Sequence, residues 1–298
     1  MVIKAREVER PTAALIEVVR CDEPTTSPQF RQRLDLFGVL IDRVNRASAL
    51  DRLGEFLASG TPHQIVTVNL DFLYLAEQDR DFRATINEAH LAVADGMPLV
   101  WLSQVMGSPL DGRVTGVELV NASLRLAAQA GVGVFLLGGA PNIAEAAVAQ
   151  VRKQHPGIDV SAYSPPFGPI TPDEDERIVQ MILRARPGFL FVALGAPRQD
   201  FWIREHRERL GVPVAMGVGC VMDLLAGAVT RAPTWMQAAG LEWSYRLFRE
   251  PRRLWRRYLL HDLPMFGRLS VMALDAHQRE RRLASRDLKG KIINGELT

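Results

Sequence analysis

The chain predicts an α/β fold: a Rossmann-like parallel-sheet core with helices on both faces, followed by a C-terminal helical appendage that is basic and aromatic. Three observations predict it. Between residues 132 and 219, short apolar runs alternate with helical patterns, as in a parallel sheet wrapped by helices. The strand-like runs end in glycine or small polar residues, where an open α/β sheet places its ligands. After about residue 232 the alternation stops. Six arginines (Arg246, Arg249, Arg252, Arg253, Arg256 and Arg257) then lie among Trp243, Tyr245, Trp255 and Tyr258. Three segments result: a flexible extension at 1–33, the α/β core at 34–232, and the appendage with its charged tail at 233–298.

In chain order, residues 1–32 mix Pro, Thr, Glu and Arg without a sustained period, which predicts an unpacked extension. LDLFGVLIDRV, from Leu34, reads as a strand pair, and residues 47–58 as a helix stopped by Gly60. Residues 65–68 and 91–93 read as buried strands separated by a helical pattern, with Phe72, Leu75 and Ala76 on one face and Phe82, Ile86 and Ala89 on the next. An amphipathic helix follows Gly116. Then come VGVFLLGG as a strand, a helix closed by Pro156-Gly157, the strand IDVSAY, and a Pro-rich loop. A helix at 173–185, the strand GFLFVALG, a helix from APRQD and the strand VPVAMGVG complete the series. There is no internal repeat.

Composition narrows the function classes. With 298 residues, 47% hydrophobic and 23% charged, the chain is an ordinary globular protein with ample core. A net charge of +2 makes no case for nucleic acid as a partner. Cys21 and Cys220 lie far apart and form neither a disulfide framework nor a zinc motif, so a reducing compartment is expected. No apolar h-region marks a secretory signal. The most apolar stretch, 211–229, is interrupted by Asp223 and four glycines, so no spanning helix is expected. The expectation is a cytoplasmic protein that something docks onto a membrane.

The chemistry-bearing residues fall at strand ends. Thr67, Asn69 and Asp95 follow the two buried strands, and Arg113 lies in a Gly-bounded turn just beyond. A hydroxyl, an amide, a carboxylate and a guanidinium thus converge on one crevice. Asp95 beside an apolar wall suits a general base acting on a hydroxyl; an Asp-Gly turn is the plainer alternative. The Gly138-Gly139 turn, with Pro141 opening the next helix, offers free N–H groups to a phosphate, or is a simple tight turn. Gln199 opens a helix at a strand end, and Asp223 is a carboxylate in an apolar stretch that must cap, pair or bind. Asp173 to Glu176 read as an acidic first helical turn rather than a metal site. Asp79 and Asp81 start a helix, and no two of the six histidines have ligand spacing. Arginines interleaved with aromatics suit an anionic, apolar boundary. At about 1 kcal/mol each near an anionic membrane, six of them support reversible adhesion, not insertion.

Taken together, TVN at 67–69, ADG at 94–96, GRVTG at 112–116, LLGG at 136–139, LGAPRQD at 194–200, VGCVMDLLAG at 218–227, RAPTWM at 231–236 and GLEWSYRLFREPRRLWRRY at 240–258 resemble the WecG/TagA/CpsF glycosyltransferase family, glycosyltransferase family 26. The resemblance runs from about residue 34 to 265. It implies an inverting, metal-independent transferase that moves a sugar from a UDP-sugar to a polyprenyl-diphosphate-linked acceptor in bacterial surface polysaccharide synthesis. The sugar would be N-acetylmannosamine, its uronic acid, or a hexose such as glucose. The resemblance places the protein peripherally on the inner face of the cell membrane, with no cofactor beyond the donor. Asp95 would be the base, with Thr67, Arg113 and Gln199 in the same pocket and Asn69 nearby. Asp223 and the Gly138-Gly139 turn would face the nucleotide, and Arg231 would supply charge. The six appendage arginines would contact lipid and the leaving diphosphate. Asp200 stands where the family usually has Glu, and Leu70-Asp71 departs from the common residues after the Asn. Homo-oligomer formation is left open. Two other classes remain: a nucleotide-cofactor oxidoreductase, which would bind NAD and not UDP but has no GxGxxG fingerprint, and a non-catalytic membrane-docking protein indifferent to Asp95.

Overall fold

The computed structural model describes residues 32–140, 142–166, 168–275 and 277–278. The N-terminal extension lies outside these residues, apart from its last two. One of them, Arg33, is a core residue: β1 (Arg33–Leu36) pairs antiparallel with β2 (Val39–Asp42) through a turn at Phe37-Gly38. The Arg33 guanidinium is buried, pairing with Asp42 at 3.2 Å and donating to the Asn87 and Ala89 carbonyls. The folded unit therefore starts before residue 34; a charged residue hid the boundary.

The main sheet has six strands in the order β4-β3-β8-β7-β5-β6: β3 (His63–Val68), β4 (Leu91–Ala94), β5 (Val134–Gly138), β6 (Val160–Tyr163), β7 (Phe189–Ala193) and β8 (Val214–Gly217). Every pairing in it is parallel. All these strands therefore end on one side, and their carboxyl ends form a single rim.

Strand alternation sorts the core. Ile65, Leu91, Val93, Leu136, Phe191 and Met216 point to one face, under α1 (Arg46–Ser59), α5 (Gly116–Ala130) and α6 (Ile143–Gln154). Their neighbours point to the other face, which packs as two clusters. Val66, Val68, Ala92 and Ala94 meet the hairpin, α2 (Leu70–Gln78), α3 (Arg80–Glu88) and α4 (Met97–Val105). Phe135, Leu137, Leu190 and Val192 meet α7 (Pro172–Ala185) and α8 (Arg198–Leu210). The single helical pattern between β3 and β4 resolves into two helices. Asp79 ends α2 in an extended conformation and caps α3, accepting from Asp81 N and Phe82 N, which breaks the rod.

Beyond β8 come α9 (Val221–Leu225), α10 (Thr234–Ala238), α11 (Glu242–Arg249) and α12 (Pro251–Trp255). A π-helical turn at Arg256–Asp262 runs into helical residues 263–275. Met265, Leu269 and Ala273, at i, i+4 and i+8, are buried in the cluster beneath α2 and α4. Burying the first two stabilises docking by about 3–6 kcal/mol before ordering costs. The appendage is thus packed on the core and roofs the rim of the sheet. Among the described residues no helix is long and apolar enough to cross a membrane.

Candidate active site

The rim encloses a cavity of about 1110 Å³ between the strand ends and the appendage. Asp95 sits at its centre for local reasons. Its N–H continues the β4 ladder to the Val68 carbonyl at 2.7 Å, and Val114 N returns to the Ala94 carbonyl at 2.9 Å, folding the 95–116 segment back over β4. That return brings the first turn of α5 to the carboxylate, and Gly116 N donates to Asp95 Oδ2 at 3.2 Å. A Cβ at 116 would stand 3.6 Å from both Asp95 Oδ2 and Thr67 Cγ2, ordinary contact distance, so this turn sits directly against the two side chains. Thr115 caps α5 in a reciprocal box with Glu118, leaving the helix's positive end facing the acid.

Burial raises the Asp95 pKa from its ordinary 3.8 to about 6. The Gly116 N–H opposes that rise, Glu242 adds to it, and Arg113 and Arg246 oppose it. Desolvation wins because the carboxylate is enclosed by the crevice walls. The side chain nevertheless keeps some exposure, so a ligand in the crevice can reach it.

Thr67, Asn69, Asp95, Arg113, Gln199, Gly138, Gly139, Asp223 and Arg231 all line this one cavity, although they are spread along the chain from Thr67 to Arg231. Their roles differ in detail from the sequence expectation. Asn69 caps α2, its Oδ1 accepting from Phe72 N at 3.2 Å and from Arg257 Nη2 at 3.3 Å. The Gly138-Gly139 turn does not offer two free amides. Gly139 N donates to the Ala193 carbonyl at 3.2 Å, and a Cβ on Gly138 would lie 2.6 Å from that oxygen. Gly138 thus serves the close approach of β5 to β7, while a Cβ on Gly139 would lie 3.3 Å from Ile143 and Met222. Helix α6 starts only at Ile143, beyond Pro141, which lies outside the described residues.

Gln199 and Asp200 are both buried at the start of α8, against Gly217 at the end of β8. Burial pushes Asp200 up to about 7, an effect that the Gln199 amide beside it only partly offsets. Asp223 is half-buried in α9; burial raises its pKa, with Arg253 opposing.

The six appendage arginines divide. Arg246, Arg253 and Arg257 line the cavity, and Arg246 Nη2 lies 3.0 Å from Cys220 Sγ. Arg249, Arg252 and Arg256 are exposed on the outside, Arg256 stacked over Trp255 at 5.4 Å. Trp235, Phe248 and Leu260 of the appendage are exposed as well, as are Leu259 and Leu263, which also line the cavity. The expected contact of these six arginines with lipid or the leaving diphosphate therefore divides by place: three stand in the cavity and three outside it.

Other participants escaped the sequence. Glu242, at the start of α11, reaches Arg231 Nε at 3.1 Å and Arg113 Nη1 at 3.6 Å. Arg257 lies 3.3 Å from Asp71 and 3.7 Å from Asp262. The second pairing spans i and i+5, the neighbours that a π-helical turn brings together. Burial drives Asp262 to about 7, with Arg257 opposing and Asp71 adding. Trp101 and Phe266 form an apolar wall, in edge contact at 6.3 Å. The acidic turn of α7 is occupied structurally. Asp175 accepts from Trp202 Nε1 at 2.6 Å and lies 2.8 Å from His206 Nε2. Among the described residues no group of three or more His, Cys, Asp or Glu side chains is placed to hold a metal ion.

The sequence profile of the glycosyl transferase WecG/TagA/CpsF family matches residues 34–280. A protein of Bacillus spizizenii strain W23, named N-acetylglucosaminyldiphosphoundecaprenol N-acetyl-beta-D-mannosaminyltransferase, is 34% identical over 215 residues, covering 72% of this chain and 79% of its own. A Staphylococcus aureus strain MW2 protein of the same name is 31% identical over 236 residues, covering 78% of this chain and 90% of its own.

Proposed function

The chain belongs to the WecG/TagA/CpsF glycosyl transferase family, and we propose that it moves a sugar from a UDP-sugar to a saccharide carried on a polyprenyl diphosphate. Membership in a family of transferases sets aside the oxidoreductase and non-catalytic readings. The observation that carries the proposal is the Asp95 carboxylate, raised to about 6 and held in a crevice beside Arg113 and Arg246.

In this reading Asp95 takes the proton from the acceptor hydroxyl as its oxygen attacks the anomeric carbon. The bond from that carbon to the diphosphate breaks, and UDP leaves with the bonding pair. A single displacement from the opposite face inverts the anomeric centre. A base with a pKa just below the working pH is ionised and still basic enough to accept the proton. The charge growing on UDP meets Arg113, Arg231 and Arg246, donors fixed before reaction. These cations take the place of a divalent ion, so the enzyme works without metal or other cofactor.

The acceptor is supported by two features: the relatives' names specify a diphosphoundecaprenol-linked sugar as theirs, and Trp101, Phe266 and Leu263 give the cavity mouth an apolar side suited to a lipid stem. The transferred sugar is N-acetylmannosamine, its uronic acid, or a hexose such as glucose. The outer arginines and exposed aromatics hold the protein peripherally on the anionic inner face of the cell membrane.

A panel of UDP-sugars incubated with a short-chain polyprenyl-diphosphate N-acetylhexosamine in excess chelator, read by product mass, tests the proposal. It expects one donor to yield a product heavier by one sugar, with equimolar UDP. Product only after magnesium is restored would overturn the metal-free mechanism, and no product from any donor would overturn the substrate assignment.

A further inference from the structure

Glu242 is a carboxylate at the first position of α11, inside a crevice proposed to bind a dianion. It is placed there by the appendage and not by the α/β core. Gly240, at φ 71, allows the chain to come against α4: a Cβ there would lie 2.9 Å from Met97 and 3.0 Å from Trp101. The next turn delivers Glu242 between two arginines from separate elements. Arg231 meets Oε1 through Nε at 3.1 Å, and Arg113 meets Oε2 through Nη1 at 3.6 Å. Each guanidinium has five N–H donors in a planar fork. Each meets Glu242 through one nitrogen, and the structure records no other hydrogen bond or ion pair for either guanidinium among the described residues. All three side chains are largely enclosed, at 17–24% exposure, so solvent screens the pair only in part.

We propose that Glu242 is a positioning residue that holds the Arg113 and Arg231 forks through one nitrogen each, leaves their other donors for the donor's diphosphate, and moderates the charge that the diphosphate meets before reaction. This rests on the transferase reading above. Its physical basis is differential stabilisation. Two unshared arginines would bind the ground-state diphosphate tightly without helping the chemical step. Sharing a carboxylate lowers that ground-state attraction, while the fixed forks still meet the negative charge that grows as the sugar–oxygen bond breaks. The same carboxylate acts on Asp95 through its charge, alongside Gly116 N, Arg113 and Arg246, with the Thr67 hydroxyl in the same crevice. Glu242 therefore also helps to keep Asp95 basic.

Glu242→Gln keeps the shape and removes the charge, and Glu242→Asp keeps the charge on a shorter stem. The experiment measures kcat, donor KM and the pH dependence of kcat/KM for both variants, with UDP affinity by calorimetry. For Glu242→Gln the expectation is a loss of about tenfold or more in kcat, from losing the charge that hydrogen-bonds Arg231 and ion-pairs with Arg113. UDP binding should be equal or tighter, and the acidic limb should move to lower pH because a like charge near Asp95 is gone. Glu242→Asp should recover part of the kcat. The proposal is overturned if Glu242→Gln turns over within twofold of wild type. It is equally overturned if UDP affinity falls in step with kcat while the limb stays put, the mark of a merely disrupted pocket. Failure of the transferase reading is separable, since it appears in the wild type as absent sugar transfer.

Discussion

Lowering the pH across the Asp95 titration is the most informative perturbation of the native enzyme. Asp95 acts as a base only when ionised, and its folded-state pKa is raised to about 6 by burial. Activity is therefore present above that value and is lost as the pH falls through it. With a pKa of about 6, the ionised fraction is about 0.97 at pH 7.5 and about 0.1 at pH 5, a tenfold fall in kcat/KM. A carboxylate at the ordinary 3.8 would lose less than about a tenth of its ionised form over that interval. Other acids by the site are raised too: Asp200 and Asp262, each to about 7, and Asp223 by burial. Asp200→Asn and Asp262→Asn therefore accompany the wild type, and the Asp95 limb should survive in both. The assay is initial-rate transfer at subsaturating donor, with UDP affinity measured at each pH to separate binding from chemistry. A rate that stays level down to pH 5, or an unchanged limb in the residual activity of Asp95→Asn, would refute the assignment.

Three further outcomes are expected. Replacing Arg249, Arg252 and Arg256 by Gln should weaken binding to anionic vesicles by up to about 3 kcal/mol, or about a hundredfold, in a salt-dependent way; sedimentation with vesicles checks this, and undiminished binding would remove these arginines from the membrane face. Gly217→Ala would place a methyl 2.5 Å from Gln199 Nε2 and 2.9 Å from Asp200 Oδ1, so it should displace Gln199, lower turnover and cost about 1–3 kcal/mol in denaturant unfolding. Arg33→Met should cost about 3–5 kcal/mol at neutral pH, because the buried Arg33–Asp42 ion pair and the two carbonyl contacts of Arg33 are lost. Asp42 already has a pKa raised to about 6. Arg33 opposes that rise, so its loss lifts Asp42 further; the variant then gains more stability than the wild type as protons bind, and the deficit should narrow towards pH 5.

The fold was legible wherever one physical rule acted alone. Buried parallel strands need apolar residues on both faces, so VGVFLLGG and GFLFVALG stood out. Helix stops such as Gly60, in the left-handed conformation at φ 67, are marked by glycine's freedom. The rim residues followed from strand ends, and Thr67, Asp95 and Gln199 converge as expected. What stayed hidden depends on tertiary placement. Glu242 looks like any acid in a first helical turn until the appendage folds back over α4. Arg33 reads as part of a charged tail until the Asn87 and Ala89 carbonyls and Asp42 surround it. Six arginines on consecutive short helices look equivalent in sequence. The breaks at Glu250 and in the π-helical turn decide which three face the cavity. Gly138-Gly139 resembles a phosphate turn because glycine serves close backbone approach and anion binding alike; the Ala193 carbonyl takes up one of its two amides, a pairing that sequence does not display.

The central claim concerns one carboxylate, and the single-turnover rate of Asp95→Asn at about pH 7.5 measures it most directly. Loss of a positioned base predicts a fall of about 10²–10⁴-fold, with UDP affinity within a few-fold of wild type because the arginines remain. A rate close to that of the wild type would contradict the account.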